Sequence, residues 1–382
     1  MIEIKKIDDK RGLEQFIQFR NDLYKKDKWD VPYLHFDEMN TLRKDKNASF
    51  EDCEADYFLA LKDGKAVGRV AAIINRKANE KWQRRVVRFG WFDFVDDLEV
   101  SRTLIQTVER WGRERGMTEI VGPMGFADTD REGMQVKGFE TMATMYANHN
   151  YDYYPRHMEQ MGGFRKDNDY VQMMVTVPEK MPEKITRVAQ MIRTRYNLDI
   201  HKLTRKELMR DGKGHDIFRL LNQTYKDLYG FAELSDSKVD QLVEQYIKIA
   251  DLNLVSTVVD NNLDGRIVGF GITFPSLSEA MRKTCNGRLL PMGWWHLLNA
   301  IYWHRADTVD MLLVGVLPEY RTKGANALIL YDLIGWYQRY GFKQALAMPQ
   351  METNSKALGL WDYFESTESC RLRCYVKEME DS

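Results

Sequence analysis

One hairpin pattern occurs twice in this chain of 382 residues. In the first half, two runs of strand-forming residues flank Asp63-Gly64, and in the second half two similar runs flank Asp264-Gly265. Asp-Gly between apolar runs is a strong signal for a tight β-turn. Both turns continue with a basic residue, any residue, Val and Gly, so two segments about 200 residues apart follow one plan. The repeat predicts two copies of one hairpin-containing domain.

The order of elements after each hairpin repeats as well. Each half continues with a strand, a helix and a further strand, at 85–95, 98–115 and 118–121 and again at 309–316, 325–340 and 343–348. We therefore predict an α+β (α/β) chain of two domains, each a mixed, mostly antiparallel sheet flanked by helices. The domains are residues 1–178 and 179–382, because prolines interrupt the periodicity near the boundary. The second copy carries extra residues, largely at 276–299.

Charge and composition exclude several classes of protein. With 56 basic and 57 acidic side chains, the net charge of -1 offers no bulk attraction for nucleic acid, so no nucleic-acid partner is expected. The N-terminal residues lack the pattern of a signal peptide, and no apolar run reaches the length of a membrane span. The four cysteines lack the spacing of a zinc site. We predict a cytoplasmic protein without a metal.

A basic, glycine-containing loop lies between the strand at 309–316 and the helix at 325–340. The amides of the first helical turn, the positive end of the helix dipole, and the charges of Arg321 and Lys323 suit a pyrophosphate, and Gly324 allows a close approach. The corresponding helix of the first half begins instead with three acids, Asp96, Asp97 and Glu99. Acids cap a helix and repel phosphate, so we predict one anion site, in the second copy.

The order of elements and the loop resemble the GCN5-related N-acetyltransferase (GNAT) superfamily. Its acyl-CoA signature, Gln/Arg-x-x-Gly-x-Gly/Ala, is similar to Arg321 to Asn326, with Asn in the last position. The Asn-x-x-Ala-x-x-Leu-Tyr helix of the family is matched by Asn354, Ala357 and Leu360, with Trp361 in the tyrosine position.

A second resemblance covers most of the chain. The glycine-rich block at 122–140 and the following Asn-x-x-Tyr-Tyr element resemble largely uncharacterised bacterial double-GNAT proteins. Some of these look like bacterial sphingoid-base N-acyltransferases, which make ceramide. The resemblance implies an N-acyltransferase that uses acyl-CoA, acetyl-CoA or acyl-carrier protein as donor. The acceptor would be a primary amine, such as a long-chain lipid amine, and peripheral membrane contact would follow from a lipid substrate.

The resemblance also assigns residues to the donor. In the family, the strand before the loop offers its main-chain amides to the thioester, and the loop holds the pyrophosphate. The implied donor-binding residues are Leu313, Val314, Val316, Leu317, Arg321, Lys323, Gly324, Ala325 and Asn326.

The acceptor and the proton transfer have their own candidates. In the glycine-rich block the acids could hold an ammonium and the tyrosines a ring or a chain, which gives the acceptor residues Asp128, Asp130, Glu132, Tyr153 and Tyr154. For removal of the proton, the family geometry favours Glu352 with Asn354, beside the acyl cleft. Glu352 is equally well explained as an acid at a helix N-terminus. Other candidate bases are Asp128, Asp130, Glu132 and His149.

Residues 291–303 are rich in Trp and apolar side chains. At helical spacing Trp294, Leu298, Ile301 and Tyr302 share a face, with Trp295 displaced from it. Such a face usually packs in a core. The alternatives are a wall for a long acyl chain and a surface that rests on a membrane.

Two other functions compete with N-acyl transfer. A GNAT domain that binds CoA, a lipid or a protein without catalysis is compatible with Asn326 and Trp361, because an indole cannot protonate a leaving thiolate. An aminoacyl-tRNA-dependent transferase also uses two such domains. The sequence shows neither a long helical hairpin arm nor the basic excess that this second alternative requires.

Overall fold

A computed structural model describes residues 1–127, 130–228, 230–244, 250–303 and 306–379. The strands are β1 (Ile2–Ile7), β2 (Cys53–Lys62), β3 (Lys65–Asn75), β4 (Val86–Phe94), β5 (Glu119–Gly122), β6 (Met134–Lys137), β7 (Arg165–Thr176), β8 (Leu198–His201), β9 (Val255–Asp260), β10 (Arg266–Pro275), β11 (Thr308–Val316), β12 (Gln344–Met351) and β13 (Ser366–Glu378). The helices are α1 (Lys10–Leu23), α2 (His35–Leu42), α3 (Arg76–Trp82), α4 (Leu98–Arg113), α5 (Tyr153–Met161), α6 (Glu183–Tyr196), α7 (Arg205–Met209), α8 (Lys213–Tyr225), α9 (Asp236–Leu242), α10 (Ser278–Arg282), α11 (Gly293–Tyr302), α12 (Pro318–Arg321), α13 (Ala325–Tyr340) and α14 (Ser355–Leu358).

Both predicted hairpins are present. Asp63 and Gly64 adopt φ values of 53° and 74° between β2 and β3, and Asp264 and Gly265 adopt 51° and 72° before β10. Positive φ at two successive residues matches the right-handed twist of the flanking strands. The second turn is longer, because a single 3₁₀ turn at Asn261–Leu263 precedes it. The repeat therefore corresponds to two structural units of the same kind.

The strands of both halves form one continuous sheet. Its order is β1-β2-β3-β4-β5-β13-β7-β12-β11-β10-β9-β8, and β6 pairs with β13. Thus β13, the last strand of the chain, pairs with β5 of the first half, and β7 pairs with β12 of the second half. The two exchanged strands also pair with each other, from Ser366 opposite Val175 to Val376 opposite Arg165. The domain boundary at 178/179 stays a prediction, since each half completes its sheet with a strand from the other.

Corresponding helices pack on the sheet in the two halves. A Cβ on Gly68 would lie 2.7 Å from a methyl of Leu104 in α4, and a Cβ on Gly271 would lie 2.7 Å from a methyl of Ile329 in α13. Glycine thus lets each helix approach its hairpin closely. The helix predicted at 325–340 has those bounds, and it ends at Gly341 with φ of 76°. Across the described residues, every helix is too short or too polar to cross a lipid bilayer.

Candidate functional site

A gap opens between the parallel strands β11 and β12. Their pairing runs from Thr308 opposite Gln344 to Met311 opposite Ala347 and then stops, although both strands continue. Beyond that point, residues 312–314 on one side and 348–351 on the other are half-buried. The edge of β11 that faces β12 therefore has no ladder partner along this gap, and its main-chain groups can meet a ligand.

The predicted phosphate loop lies at the end of β11. Gly324, with φ of 83°, is the N-cap of α13 and supplies no side-chain acceptor to the first helical turn. The positive end of the helix dipole is thus left without a capping side chain, as an anion site requires. Arg321 holds the loop in place, because its Nε donates to the carbonyl of Val316 at 2.9 Å and its Nη2 to that of Thr224 at 3.0 Å. Lys323 places its Nζ 4.2 Å from the ring centre of Tyr320.

The remaining predicted donor residues divide into two groups. Leu313 and Val314 are half-buried beside the gap, and Asn326 is half-buried in the first turn of α13. The second group is buried and faces the core; it consists of Val316, Leu317 and Ala325. Because these three side chains are buried, only their main chain could contact a ligand; their assignment to the donor stays a prediction.

The same gap in the first half is filled by the chain itself. Pairing of β4 with β5 stops at Arg88 opposite Val121. Beyond it Met124 donates its amide to the carbonyl of Phe89 at 2.8 Å, and a Cβ on Gly90 would lie 2.4 Å from the Met124 carbonyl oxygen. No space remains for a ligand between these strands.

The helix start of the first half is also closed to anions. A carboxylate oxygen of Asp97 accepts a hydrogen bond from the amide of Glu99 at 3.0 Å, which confirms the predicted acidic cap of α4. The two halves therefore differ both at the gap between their parallel strands and at the start of the following helix.

A carboxyl group that the sequence analysis missed lies on β11. Asp310 is 1% exposed, and among the described residues its Oδ1 has no hydrogen-bond partner. Burial raises the pKa of Asp310 to about 7, against a smaller lowering by a hydrogen bond from Ser276. It stands next to Met311, where the pairing with β12 ends. The available signal was a single carboxylate within the apolar run 309–316.

Glu352 lies at the far wall of the gap, after the end of β12. Its carboxylate is in close contact with the ammonium of Lys166 and lies 3.2 Å from Nη1 of Arg371. Its amide donates to the carbonyl of Asp169 at 2.8 Å. Two cations therefore hold this carboxylate in place.

The predicted helix after β12 is short. The amide of Asn354 donates to the carbonyl of Met351 at 2.9 Å, just before α14. Trp361 is buried and donates its Nε1–H to Gln350 at 3.2 Å, whereas Tyr363 is 55% exposed. Neither Trp361 nor Tyr363 therefore supplies a tyrosine hydroxyl to the gap. The hydroxyl of Tyr225 on α8 does reach β11, because it donates to the carbonyl of Val314 at 3.2 Å.

Most of the predicted acceptor residues have structural partners in the first half. The hydroxyl of Tyr154 accepts from that of Tyr24 at 2.7 Å and from the amide of Phe94 at 3.1 Å. Tyr153 donates to the carbonyl of Phe94 at 2.6 Å. Asp130 accepts from the amides of Phe126 and Ala127, at 2.8 and 3.1 Å, and so shapes its own loop.

Two further candidates lie in the first half, the candidate base His149 and the acceptor residue Asp128. His149 pairs with Asp27 at 2.9 Å and is buried. Asp128 lies outside the described residues.

Glu132 differs from these residues. Its Oε1 is buried and has no hydrogen-bond partner among the described residues. Burial raises the pKa of Glu132 to about 7, while a hydrogen bond with Tyr170 and the charge of Arg88 oppose the shift. Tyr170 lies opposite Met351 in the pairing of β7 with β12, and Met351 packs on the cluster that contains Tyr170 and Met124. The structure thus brings Glu132 to the end of the strand that walls the gap.

The buried carboxyl of Glu132 predicts a pH-dependent stability. Its pKa is raised from 4.5 to about 7 on folding, so the unfolded chain loses the proton first and stability falls as pH rises between these values. Glu132→Gln cannot ionise and should unfold several degrees higher than the wild type at pH 8, with a smaller difference at pH 5. Thermal unfolding at the two pH values measures this. A constant difference would contradict the raised pKa.

Comparison with known proteins supports the fold. No protein-family model matches the chain. The chain is 26% identical over 330 residues to a bacterial ceramide synthase of Caulobacter vibrioides, covering 83% of this chain and 81% of that protein. It is 25% identical over 378 residues to Protein YghO of Escherichia coli, covering 97% and 94% of the two chains.

A solved structure shows the same architecture. A tandem GNAT protein from the clavulanic acid biosynthesis pathway superposes over 100% of both chains, with a TM-score of 0.58 and 10% sequence identity. The chain therefore has the tandem GNAT fold, and the predicted resemblance and fold class are confirmed. The described residues contain no group of three or more His, Cys, Asp or Glu side chains that could hold a metal ion.

Proposed function

We propose that the chain is an N-acyltransferase that moves an acyl group from acyl-CoA, or from acyl-carrier protein, to the primary amine of a long-chain lipid. The observation that carries this proposal is the difference between the two halves. The gap between β11 and β12 is open and leads to an uncapped helix, whereas Met124 fills the equivalent gap and Asp97 caps the equivalent helix. The similarity to a protein named bacterial ceramide synthase supports a lipid amine as acceptor.

In this proposal the donor binds along β11 and its loop. The first-turn amides of α13 bind the pyrophosphate, and Lys323 adds positive charge. The free edge of β11 at 312–314 binds the pantetheine and polarises the thioester carbonyl through main-chain N–H groups. Removing a donor of this kind typically costs about 3 to 4 kcal/mol in the transition state, so the strand itself would supply a large part of the catalysis.

Asp310 is our proposed general base. Its pKa of about 7 suits proton transfer near neutral pH, and it lies among the last paired residues of β11 before the gap, opposite Leu346. Glu352 and Asn354 remain the second candidates, on the opposite wall. We propose that Glu132 pairs with the ammonium of the acceptor, because its carboxyl has an oxygen without a partner at the end of β12. The other predicted acceptor residues would contribute by stabilising the folded structure of the first half.

The two candidate bases can be separated. Glu352→Gln should lower the thermal unfolding temperature, because Lys166 and Arg371 lose their shared carboxylate, and it should reduce kcat/KM less than Asp310→Asn does. Thermal unfolding and steady-state kinetics on both variants measure this. If Glu352→Gln lost more activity than Asp310→Asn at unchanged stability, Glu352 would be the base.

Donor binding is the first test of the proposed function. Calorimetric titration with acetyl-CoA, a long-chain acyl-CoA and an acylated carrier protein should show binding of at least one, with one site per chain. Mass spectrometry should then detect an amide after addition of a long-chain amine. Absence of binding by all three donors would overturn the proposal.

One alternative keeps a specific observation in its favour. Because Trp361 is buried and holds Gln350, the position that a tyrosine occupies in the family contributes no acid here. A domain that binds the donor without turnover would show one calorimetric site and no amide product. The cytoplasmic location stays a prediction.

A further inference from the structure

An insertion of the second half exposes a cluster of large apolar side chains. Of the fourteen exposed large hydrophobic residues in the described chain, eight lie within 289–303. We call these eight residues the apolar patch: Leu289, Leu290, Met292, Trp294, Trp295, Leu298, Tyr302 and Trp303. Single exposed apolar residues are ordinary, but a contiguous group marks an interaction surface. Of the face that the sequence predicted to pack in a core, Trp294, Leu298 and Tyr302 are exposed, and Ile301 is buried.

The apolar patch belongs to an ordered element. On the inner side of α11, Ala300 and Ile301 are buried and pack in one cluster with Val31 and Met281. The turn before α11 is fixed to the first half, because the carbonyl of Gly287 accepts from the amide of His35 at 3.0 Å. The outer face is therefore held in position while remaining exposed.

The rings of the apolar patch are arranged against one another. Trp295 and Trp303 are stacked with ring centres 5.9 Å apart, and Trp294 meets Trp295 edge to face at 6.0 Å. These contacts leave Trp303 63% exposed. Because these rings are already fixed in the free protein, binding through them costs little side-chain entropy.

Charge indicates what kind of surface the patch fits. Residues 276–303, which contain the insertion and the whole of α11, have three cationic side chains, Arg282, Lys283 and Arg288, and one acidic side chain, Glu279. Arg288 pairs with Glu14 at 3.2 Å, whereas Arg282 and Lys283 are exposed and make no ion pair with a described residue. An anionic surface complements this face. A second copy of the chain would bring the same positive charges with it.

We propose that the apolar patch docks the protein on the surface of a lipid bilayer that contains anionic lipids. Trp and Tyr prefer the boundary between head groups and acyl chains, and an amphipathic helix such as α11 lies in that plane without crossing it. Lys and Arg beside the rings meet the lipid charges. The insertion leaves the sheet at Ser276, whose amide donates to the carbonyl of Thr308 on β11 at 2.9 Å. The docking surface is thus joined directly to the strand that borders the gap.

Vesicle binding tests this inference without any acyl donor, so its outcome is independent of the proposed function. Wild-type protein should cosediment with vesicles of phosphatidylcholine and phosphatidylglycerol, and less with phosphatidylcholine alone. A variant with Trp294→Ser, Trp295→Ser and Trp303→Ser should lose most binding to both. Arg282→Glu with Lys283→Glu should bind the anionic vesicles about tenfold more weakly or worse.

A matched control removes exposed apolar side chains elsewhere. Met191→Ser with Met209→Ser, on α6 and α7, should bind vesicles like the wild type. Thermal unfolding checks that all variants fold. The proposal fails if the wild type binds neither vesicle or if the triple Trp variant binds as the wild type does. It also fails if light scattering shows that the Trp changes only convert a dimer to a monomer.

Discussion

Gly324→Asp is expected to weaken acetyl-CoA binding by about a hundredfold or more while the protein remains folded. The substitution puts a carboxylate at the N-cap of α13, where the dipole and the free amides would otherwise meet the pyrophosphate. The new carboxylate both satisfies those amides and repels the phosphates, as Asp97 is placed to do at α4. Calorimetric titration measures the dissociation constant.

Gly341→Asp is the matched control at the other end of the same helix. Gly341 also has positive φ, 76° against 83° for Gly324, and a Cβ there would meet nothing within 4 Å. Both variants therefore carry a similar backbone cost and the same added charge. A Cβ at Gly324 would also lie 3.0 Å from Cδ1 of Ile192, so thermal unfolding of both variants separates lost binding from lost stability. We expect Gly341→Asp to bind acetyl-CoA as the wild type does. Equal affinities for the two variants would place the pyrophosphate elsewhere.

Asp310→Asn should lower kcat by about a hundredfold to ten-thousandfold, the usual effect of losing a general base. The carboxylate accepts the proton only when it is ionised, and its pKa lies at about 7. The wild-type rate should therefore rise with pH up to about 7 and then level off. The variant should lack this rise, which is the acid limb of the pH–rate profile. Steady-state kinetics across pH, with saturating donor and amine, measure both effects.

Asp307→Asn is the control for this prediction. Asp307 lies just before β11, is exposed, and pairs with Lys343 at 2.8 Å. The same chemical change there should leave kcat and its pH dependence unaltered. If Asp310→Asn kept the acid limb, another group would be the base, whatever the size of the rate loss. Acetyl-CoA binding by Asp310→Asn should be unchanged, which separates a catalytic defect from a damaged donor site.

Local patterns predicted much of the fold. Asp-Gly between apolar runs predicted both hairpins, because positive φ at successive residues is a property of the turn itself. The bounds of α13 followed from its apolar period and from Gly341, and the acids at 96–99 predicted the cap of α4. Each of these features depends on residues a few positions apart. For that reason they can be recognised without knowledge of the rest of the chain.

The exchange of β7 and β13 between the halves was not predicted. The partner of a strand depends on residues far away in the chain, so local sequence patterns do not reveal it. The filling of the gap in the first half was not predicted for the same reason, because it also depends on contacts between distant segments. Met124 reads as an ordinary apolar residue in a loop, and only folding places it against Phe89 and Gly90.

The chemistry of the carboxyl groups also depended on folding. Residue type alone does not distinguish the carboxyl groups of Glu352, Asp130, Glu132 and Asp310. In the structure, cations hold Glu352 and backbone amides hold Asp130, while burial raises the pKa of Glu132 and Asp310. The environment that sets a pKa comes from distant segments, so residue type cannot reveal it.

The sequence by itself determined two copies of one α+β unit, a single basic, glycine-containing loop before a helix, and the acidic cap that distinguishes the first copy. These are local properties of turns and helix ends. Tertiary structure decided that the copies share one sheet, that one gap is open and the other filled, and that the Trp-rich helix faces outward. Burial and pairing between distant segments arise only when the whole chain is folded, because they depend on which surfaces meet.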